Sequence, residues 1–357
     1  MDKIFTLTFF LFLIGTLGFS LLINLIFLKF VKSLGIRNVK DTVIRWNENS
    51  KPSIGGLSFY IIFLLSISSF SFAFNIGGSL INLREIGIVV ACSLGFLMGL
   101  ADDAYDTRPI LKSLTQIGCG LILVFTGTVI HLFESPIFNT ILTVIWVIGI
   151  MNAVNMLDNM DGITAGVSAT ILLTIVTCFV ITEYGATFYF ILISGIICSL
   201  LGFLYFNWHP AKMFMGDSGS QFLGIFLAAM GIIFFWNLEP LEAEKISTAK
   251  KIIMPILAFI VPIADTTTVV INRISRGQSP FIGGKDHTTH NLARIGLSDQ
   301  KVGLTVIAIS LCSAFVILYT YNDLEFSTEK TIGLIAYILV VCGLLYSVTQ
   351  IKRKKTV

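Results

Sequence analysis

The stretch Ile86-Gly-Ile-Val-Val-Ala-Cys-Ser-Leu-Gly-Phe-Leu-Met-Gly-Leu-Ala-Asp-Asp103 decides the fold. It runs apolar from Ile86 to Leu100 and then stops on two adjacent aspartates. Such a run suits a helix in lipid, where about 20 residues cross the hydrocarbon core. A carboxylate at the hydrocarbon boundary is costly unless it serves something. The pattern is general in this chain: of 357 residues, 55% are hydrophobic and 13% charged, and the mean hydropathy is +0.87. Those values exclude an ordinary soluble globular protein.

Working outward from 86–100, ten further apolar stretches occupy 4–28, 54–74, 111–130, 137–151, 163–181, 188–206, 222–236, 252–271, 302–319 and 332–348. The expected fold is therefore all-α, a single polytopic domain (1–357) of about eleven transmembrane helices embedded in a lipid bilayer. The stretch 4–28 is too long for a signal peptide and lacks a small-residue cleavage site, so it reads as the first span. Six cysteines (Cys92, Cys119, Cys178, Cys198, Cys312, Cys342) stand singly inside apolar runs and read as small buried hydrophobes. No internal repeat of the transporter kind is visible.

Orientation follows from the basic residues, which are retained on the cytoplasmic side. With the N-terminus outside and the C-terminus cytoplasmic, roughly 18 Lys and Arg fall inside and about six outside. The main contributors are Arg37, Lys40, Arg45 and Lys51, the loop 272–301, and the run Lys352-Arg-Lys-Lys355. That run follows an apolar span and anchors orientation; the net charge of +3 is not read as a nucleic-acid signal. The same orientation sends the polar, glycine-punctuated segments 99–103, 152–162, 207–219 and 273–296 to the cytoplasmic face.

Each of these segments has a chemical and a bland reading. Successive helical residues point about 100° apart, so Asp102 and Asp103 cannot both face one ligand and divide their tasks; a solvated helix end is the alternative. Lys112 and Gln116, four apart, share a face on the next helix, where Lys112 holds a phosphate, pairs with one of the aspartates, or snorkels to the interface. Asn152, Asn155, Asp158 and Asp161 recur every third residue, laying amides and acids along one side of a helix end. Hard oxygen donors of this kind suit magnesium, which leaves positions for water and substrate phosphates; a structural polar stripe is the alternative.

Gly216 and Gly219 flank Asp217 and Ser218 just before another helix, so Asp217 is a metal ligand or Ser218 a cap. Capping alone leaves the conjunction with Asn207, His209 and Lys212 unexplained. Asp265 lies within a span and calls for a partner, structural or substrate. The loop 272–301 carries Arg273, Arg276, Lys285, Asp286, His287 and His290. Its two histidines lack a third ligand of convincing spacing, which favours phosphate or sugar recognition over a transition metal.

Taken together the set resembles the polyprenyl-phosphate N-acetylhexosamine-1-phosphate transferases (glycosyltransferase 4), which include the phospho-MurNAc-pentapeptide translocases. The resemblance runs from Gly55-Gly56 to about Gly296 and rests on Gly99-Leu-Ala-Asp-Asp103, Lys112 and Gln116, the Asn152 to Gly162 run, and Phe214-Met-Gly-Asp-Ser-Gly-Ser220. It implies eleven helices with the active site at the cytoplasmic face of the inner membrane. It also implies transfer of a sugar-1-phosphate from a UDP-sugar to undecaprenyl phosphate, with release of UMP. Asp217 and its neighbours, Asp103 among them, then hold Mg2+, with Mn2+ as a substitute, and the His287/His290 loop recognises the nucleotide sugar. Two departures stand out: Asn159 where the pattern has Gly, and His287-Thr-Thr-His290 where relatives carry a longer histidine cluster. The second favours a simple N-acetylhexosamine donor, GlcNAc first, over a pentapeptide sugar.

The expected chemistry is in-line attack of a lipid phosphate oxygen on the β-phosphorus, governed by positioning and charge neutralisation. Asp102, Asp103, Asp158 and Asp161 are the candidate catalytic acids, Asp102 as base or orienter. Lys51, Lys112, Gln116, Asn152, Asn155, Asn207, Arg276, His287 and His290 are the candidate substrate contacts. A phospho-aspartate route is the internal rival, and a homodimer is compatible with the sequence. A secondary transporter would place its acids near mid-span; here nearly all sit at inner helix ends.

Overall fold

The computed structural model describes residues 3–30, 51–74, 81–181, 188–238, 247–279, 284–323 and 326–351. Arg37, Lys40, Arg45 and 352–355, used above to set orientation, lie outside the described residues. The described chain is a succession of helices: α1 (Lys3–Phe30), α2 (Gly55–Ser69), α3 (Leu83–Tyr105), α4 (Pro109–Phe125), α5 (Pro136–Leu157), α6 (Ile163–Ile181) and α7 (Phe188–Asn207). There follow α8 (Gly216–Gly231), α9 (Thr248–Ala258), α10 (Ile260–Ser275), α11 (Thr288–Arg294), α12 (Asp299–Thr320) and α13 (Thr328–Gln350). Helices α2 and α8 run on into π-helical turns, Phe70–Phe74 and Ile232–Trp236.

Among the described residues, nine helices are long and apolar enough to cross a membrane, ten if α9 and α10 make one broken span. The sequence reads 252–271 as one helix, but α9 and α10 meet at 79°. Pro262 has no N–H to return to the Ala258 carbonyl and its ring crowds that carbonyl, so the helix breaks at Phe259 (φ −105, ψ 21). Helix α4 is 17 residues long, shorter than the stretch 111–130, because the chain turns at Gly127, where φ is +92.

Helix α8 is the axis of the bundle. Within its apolar window 89% of the residues are buried, against 22% for α1 and 11% for α13 at the periphery. Lipid is as apolar as leucine, so helices in a membrane associate through close packing and interhelical hydrogen bonds. Both devices converge on α8. A Cβ on Gly99 would stand 2.2 Å from the Asp217 carbonyl oxygen, and one on Gly56 2.2 Å from the Gly219 nitrogen, so α3 and the start of α2 touch the α8 backbone directly. Trp146 Nε1 on α5 donates to the Ala228 carbonyl at 3.1 Å. Tyr60 stacks on Phe96 at 4.1 Å, and Phe63 meets the Phe222 and Phe226 rings edge-on. Four cysteines are buried as expected, but Cys342 is half-buried and Cys312 exposed, the latter on the same outer side of α12 as the exposed Leu304, Leu311 and Phe315.

Candidate active site

The close approaches gather the ends of α3 and α5 and the starts of α4 and α8 at one end of the bundle. Before α8, Phe214 N donates to the Pro52 carbonyl at 2.9 Å, while Gly55 N and Gly56 N donate to the Phe214 and Met215 carbonyls at 3.0 and 2.9 Å. This short parallel pairing of Ser53 with Phe214 seats the turn at Gly216, whose φ of +75 suits glycine. The first amides of a helix need acceptors. Here Asp103 supplies them: its two carboxylate oxygens accept from Asp217 N at 2.8 Å and Ser218 N at 2.9 Å. The α8 cap thus comes from α3, not from the Ser218 side chain.

Asp102 turns away from its neighbour. Its Oδ1 accepts from Thr107 N at 3.0 Å and Thr107 Oγ1 at 2.5 Å, and its Oδ2 from Lys112 Nζ at 2.7 Å. Lys112 also reaches Asp217 Oδ1 at 3.4 Å. The same oxygen accepts from Asn155 Nδ2 at 2.5 Å, and Asn155 donates to Ser220 Oγ at 2.7 Å. Deeper between the helices, buried Gln116 exchanges hydrogen bonds with Asn152 and donates to Gln221 Oε1 at 3.2 Å. The result is a lysine clamped between two carboxylates and backed by an amide ladder shared by α4, α5 and α8.

The three-residue series 152–161 does not stay on one helical face. Helix α5 ends at Leu157 with Asp158 as its C-cap, and Asp161 falls in the turn before Gly162, which has φ +76. Asp161 Oδ2 there accepts from Ala211 N at 2.9 Å and lies 3.1 Å from His209 Nδ1. Asn207 latches the same corner, accepting from Gly162 N at 3.0 Å and donating to the Met213 carbonyl at 2.8 Å. These two residues join the α5–α6 turn to the α7–α8 loop, while Asn155 faces Asp217.

The late loop forms a second polar cluster. Arg273, at the end of α10, grips Asp286 with Nε at 2.9 Å and Nη2 at 2.7 Å. Burial works against the Asp286 charge, but the guanidinium outweighs it and holds the carboxyl below its usual range. Buried Asp265 accepts from His287 Nδ1 at 2.8 Å and from Thr288 N and Oγ1 at 2.8 and 2.5 Å. The ring of His290 stands edge-on to that of His287 at 5.4 Å. Burial, then the neighbouring His287, push His290 down to about 4. Thr289 Oγ1 donates to Asn159 Oδ1 at 2.6 Å, which docks α11 on the α5–α6 turn. The two departures from the family pattern therefore touch each other.

Arg276 is exposed at the end of α10, and Lys51 Nζ lies 5.4 Å over the Phe214 ring. Neither joins the Lys112 cluster by a hydrogen bond. The sequence reading passed over Thr107, Ser220 and Gln221. The last two stand three and four residues after Asp217, so extending its helical face would have found them.

The bundle gathers carboxylates, amides and one lysine at one end, and similarity to known proteins places it in the class of membrane glycosyltransferases. Residues 85–235, which span the whole Asp102 to Gln221 cluster, match the model described as glycosyl transferase family 4. The probable undecaprenyl-phosphate N-acetylglucosaminyl 1-phosphate transferase of Bacillus subtilis (strain 168) is 31% identical over 309 residues, 81% of this chain and 80% of that protein. The chain belongs to glycosyl transferase family 4. The decaprenyl-phosphate N-acetylglucosaminephosphotransferase of Mycobacterium leprae (strain TN) is 25% identical over 85% of this chain and 81% of its own. A phospho-N-acetylmuramoyl-pentapeptide-transferase of Streptococcus uberis is 33% identical over 62% of this chain and 73% of its own.

Proposed function

We propose that the protein transfers N-acetylglucosamine-1-phosphate from UDP-GlcNAc to undecaprenyl phosphate, releasing UMP and making the lipid-linked sugar diphosphate that starts a cell-surface polysaccharide. The observation that carries this reading is Lys112, held at 2.7 Å from Asp102 and 3.4 Å from Asp217. A cation fixed on two sides cannot follow a mobile counter-ion and is preorganised for the phosphates of the donor. In the reaction a lipid phosphate oxygen bonds to the β-phosphorus, and the bond from that phosphorus to the oxygen bridging to UMP breaks. Asp102 orients Lys112, which neutralises charge on the diphosphate. Asn155 fixes the Asp217 carboxylate, and Asp103 fixes the start of α8. His287, His290 and Arg276 meet the nucleotide sugar, and Lys51 the anionic approach.

The donor set fits magnesium. Asp217 offers a hard carboxylate oxygen on a side chain one-third exposed; no group of three His, Cys, Asp or Glu residues that could hold a metal ion stands among the described residues, so the rest of an ion's shell would come from water and substrate. Magnesium is bound by one or two carboxylates plus substrate phosphates in this way. When bound to Asp217, the ion supplies neutralisation of the diphosphate charge.

We further place the site at the cytoplasmic face of the inner membrane, with eleven spans if α4 and the α9–α10 pair each cross, the N-terminus outside and the C-terminus inside. The basic-residue count supports that orientation. The test is to incubate purified protein with undecaprenyl phosphate, magnesium and a panel of UDP-sugars and to measure UMP and lipid-linked product. UMP release with UDP-GlcNAc is expected; no UMP with any donor overturns the reading.

A further inference from the structure

Asp265 lies outside the Lys112 cluster, on α10, and its side chain is 2% exposed. A buried carboxylate in a helix of this kind is expensive and persists where its hydrogen bonds are filled. All three of its contacts go to two consecutive residues of one short element: Nδ1 of His287 on Oδ2, and the N–H and hydroxyl of Thr288 on Oδ1. An ionised carboxylate only accepts, so the His287 nitrogen facing it must carry the proton. The remaining nitrogen, Nε2, makes no hydrogen bond among the described residues.

We propose that Asp265 is a positioning residue for donor recognition: it sets the tautomer and ring plane of His287, so that Nε2 presents a lone pair to a hydroxyl or N–H of the nucleotide sugar. The same carboxylate mounts α11 through Thr288. A second latch, Thr289 on Asn159 at 2.6 Å, fixes the start of α11 to the turn that follows Asn155 and Asp158. α11 is thereby held by two hydrogen-bonded joints, a buried one to α10 through Asp265 and one to the α5–α6 turn through Asn159. The orientation of a ring by a carboxylate on its other nitrogen is the same device that fixes histidine ligands and bases elsewhere. This inference rests on the proposal that His287 contacts the donor.

The test uses the full-length protein in detergent micelles and reads UDP-GlcNAc binding, steady-state KM for each substrate, and 15N spectra of histidine. With four histidines in the chain, His287→Gln identifies the His287 signal by difference. Asp265→Asn keeps the shape and both arms but loses the charge. It is expected to raise the donor KM by about tenfold or more, the scale of effect when such an orienting partner is lost, and to leave the KM for undecaprenyl phosphate unchanged. The His287 spectrum should lose its Nδ1–H signature. In the Asp265→Asn/His287→Gln double variant the donor KM should be no worse than in His287→Gln alone. Thr288→Val removes one mount and leaves the ring partner, so it should preserve the tautomer signature. If His287→Gln binds UDP-GlcNAc normally, the underlying reading of His287 fails. If His287→Gln weakens binding while Asp265→Asn leaves both the donor KM and the tautomer signature untouched, or if the two losses simply add, the role of Asp265 is overturned.

Discussion

Lys112 gathers two carboxylates on one ammonium, and its replacement separates charge from shape. Lys112→Met should keep the helix and remove the cation, lowering UMP release by about a hundredfold or more, the scale seen when one preorganised electrostatic contact is deleted. An unchanged rate would remove Lys112 from the mechanism. Asp217→Asn should abolish magnesium-dependent UMP release, and full activity in that variant would sink the metal assignment. His290 gives a pH signature. Its folded value of about 4 lies below the ordinary 6.5, so an unfolded chain binds a proton in that window which the folded chain refuses. Stability contributed here is complete above about 6.5 and falls as pH drops toward about 4. Thermal melts of His290→Gln should show a shallower decline over that window than the parent protein. The Asp286–Arg273 pair acts lower on the scale: the depressed Asp286 value means its contribution is present above the ordinary carboxylate range and lost only below it.

At the scale of elements, the site depends on how closely α3 approaches α8. Gly99→Ala would drive a methyl to 2.2 Å from the Asp217 carbonyl oxygen. The expected cost is about 1–3 kcal/mol or more from overpacking, seen as a lower melting temperature together with lost activity. Gly149→Ala on α5 meets nothing within 4 Å and should melt like the parent; equal effects of the two would refute a specific α3–α8 contact. Much of this was legible in the chain. The divergence of Asp102 from Asp103 follows from helical geometry alone, and the spans follow from hydropathy. What the chain could not reveal is which helix end meets which. Asp103 capping α8, Asp161 seated on the His209–Ala211 corner, and Asp265 holding His287 all join residues far apart in sequence. Local spacing carries no record of such contacts. The break at Phe259 was within reach, since Pro262 forbids one hydrogen bond, but a smooth apolar run masked it.

At the scale of the whole molecule, the proposed orientation makes Arg276 and the 131–135 turn face opposite compartments. A cysteine-free version, lacking all six native thiols, carrying Arg276→Cys should react with an impermeant maleimide only in inside-out vesicles. Phe133→Cys should react only in right-side-out cells; the reverse pattern would invert the topology. The α8 terminus has a larger consequence for how the molecule treats anions. A helix start with open amides is a natural trap for any phosphate, yet this one already holds the Asp103 carboxylate at 2.8 and 2.9 Å. The protein thus carries a resident counter-ion on the very amides that a phosphate would otherwise take, so an anion arriving at this helix start meets a closed cap instead of open backbone N–H groups.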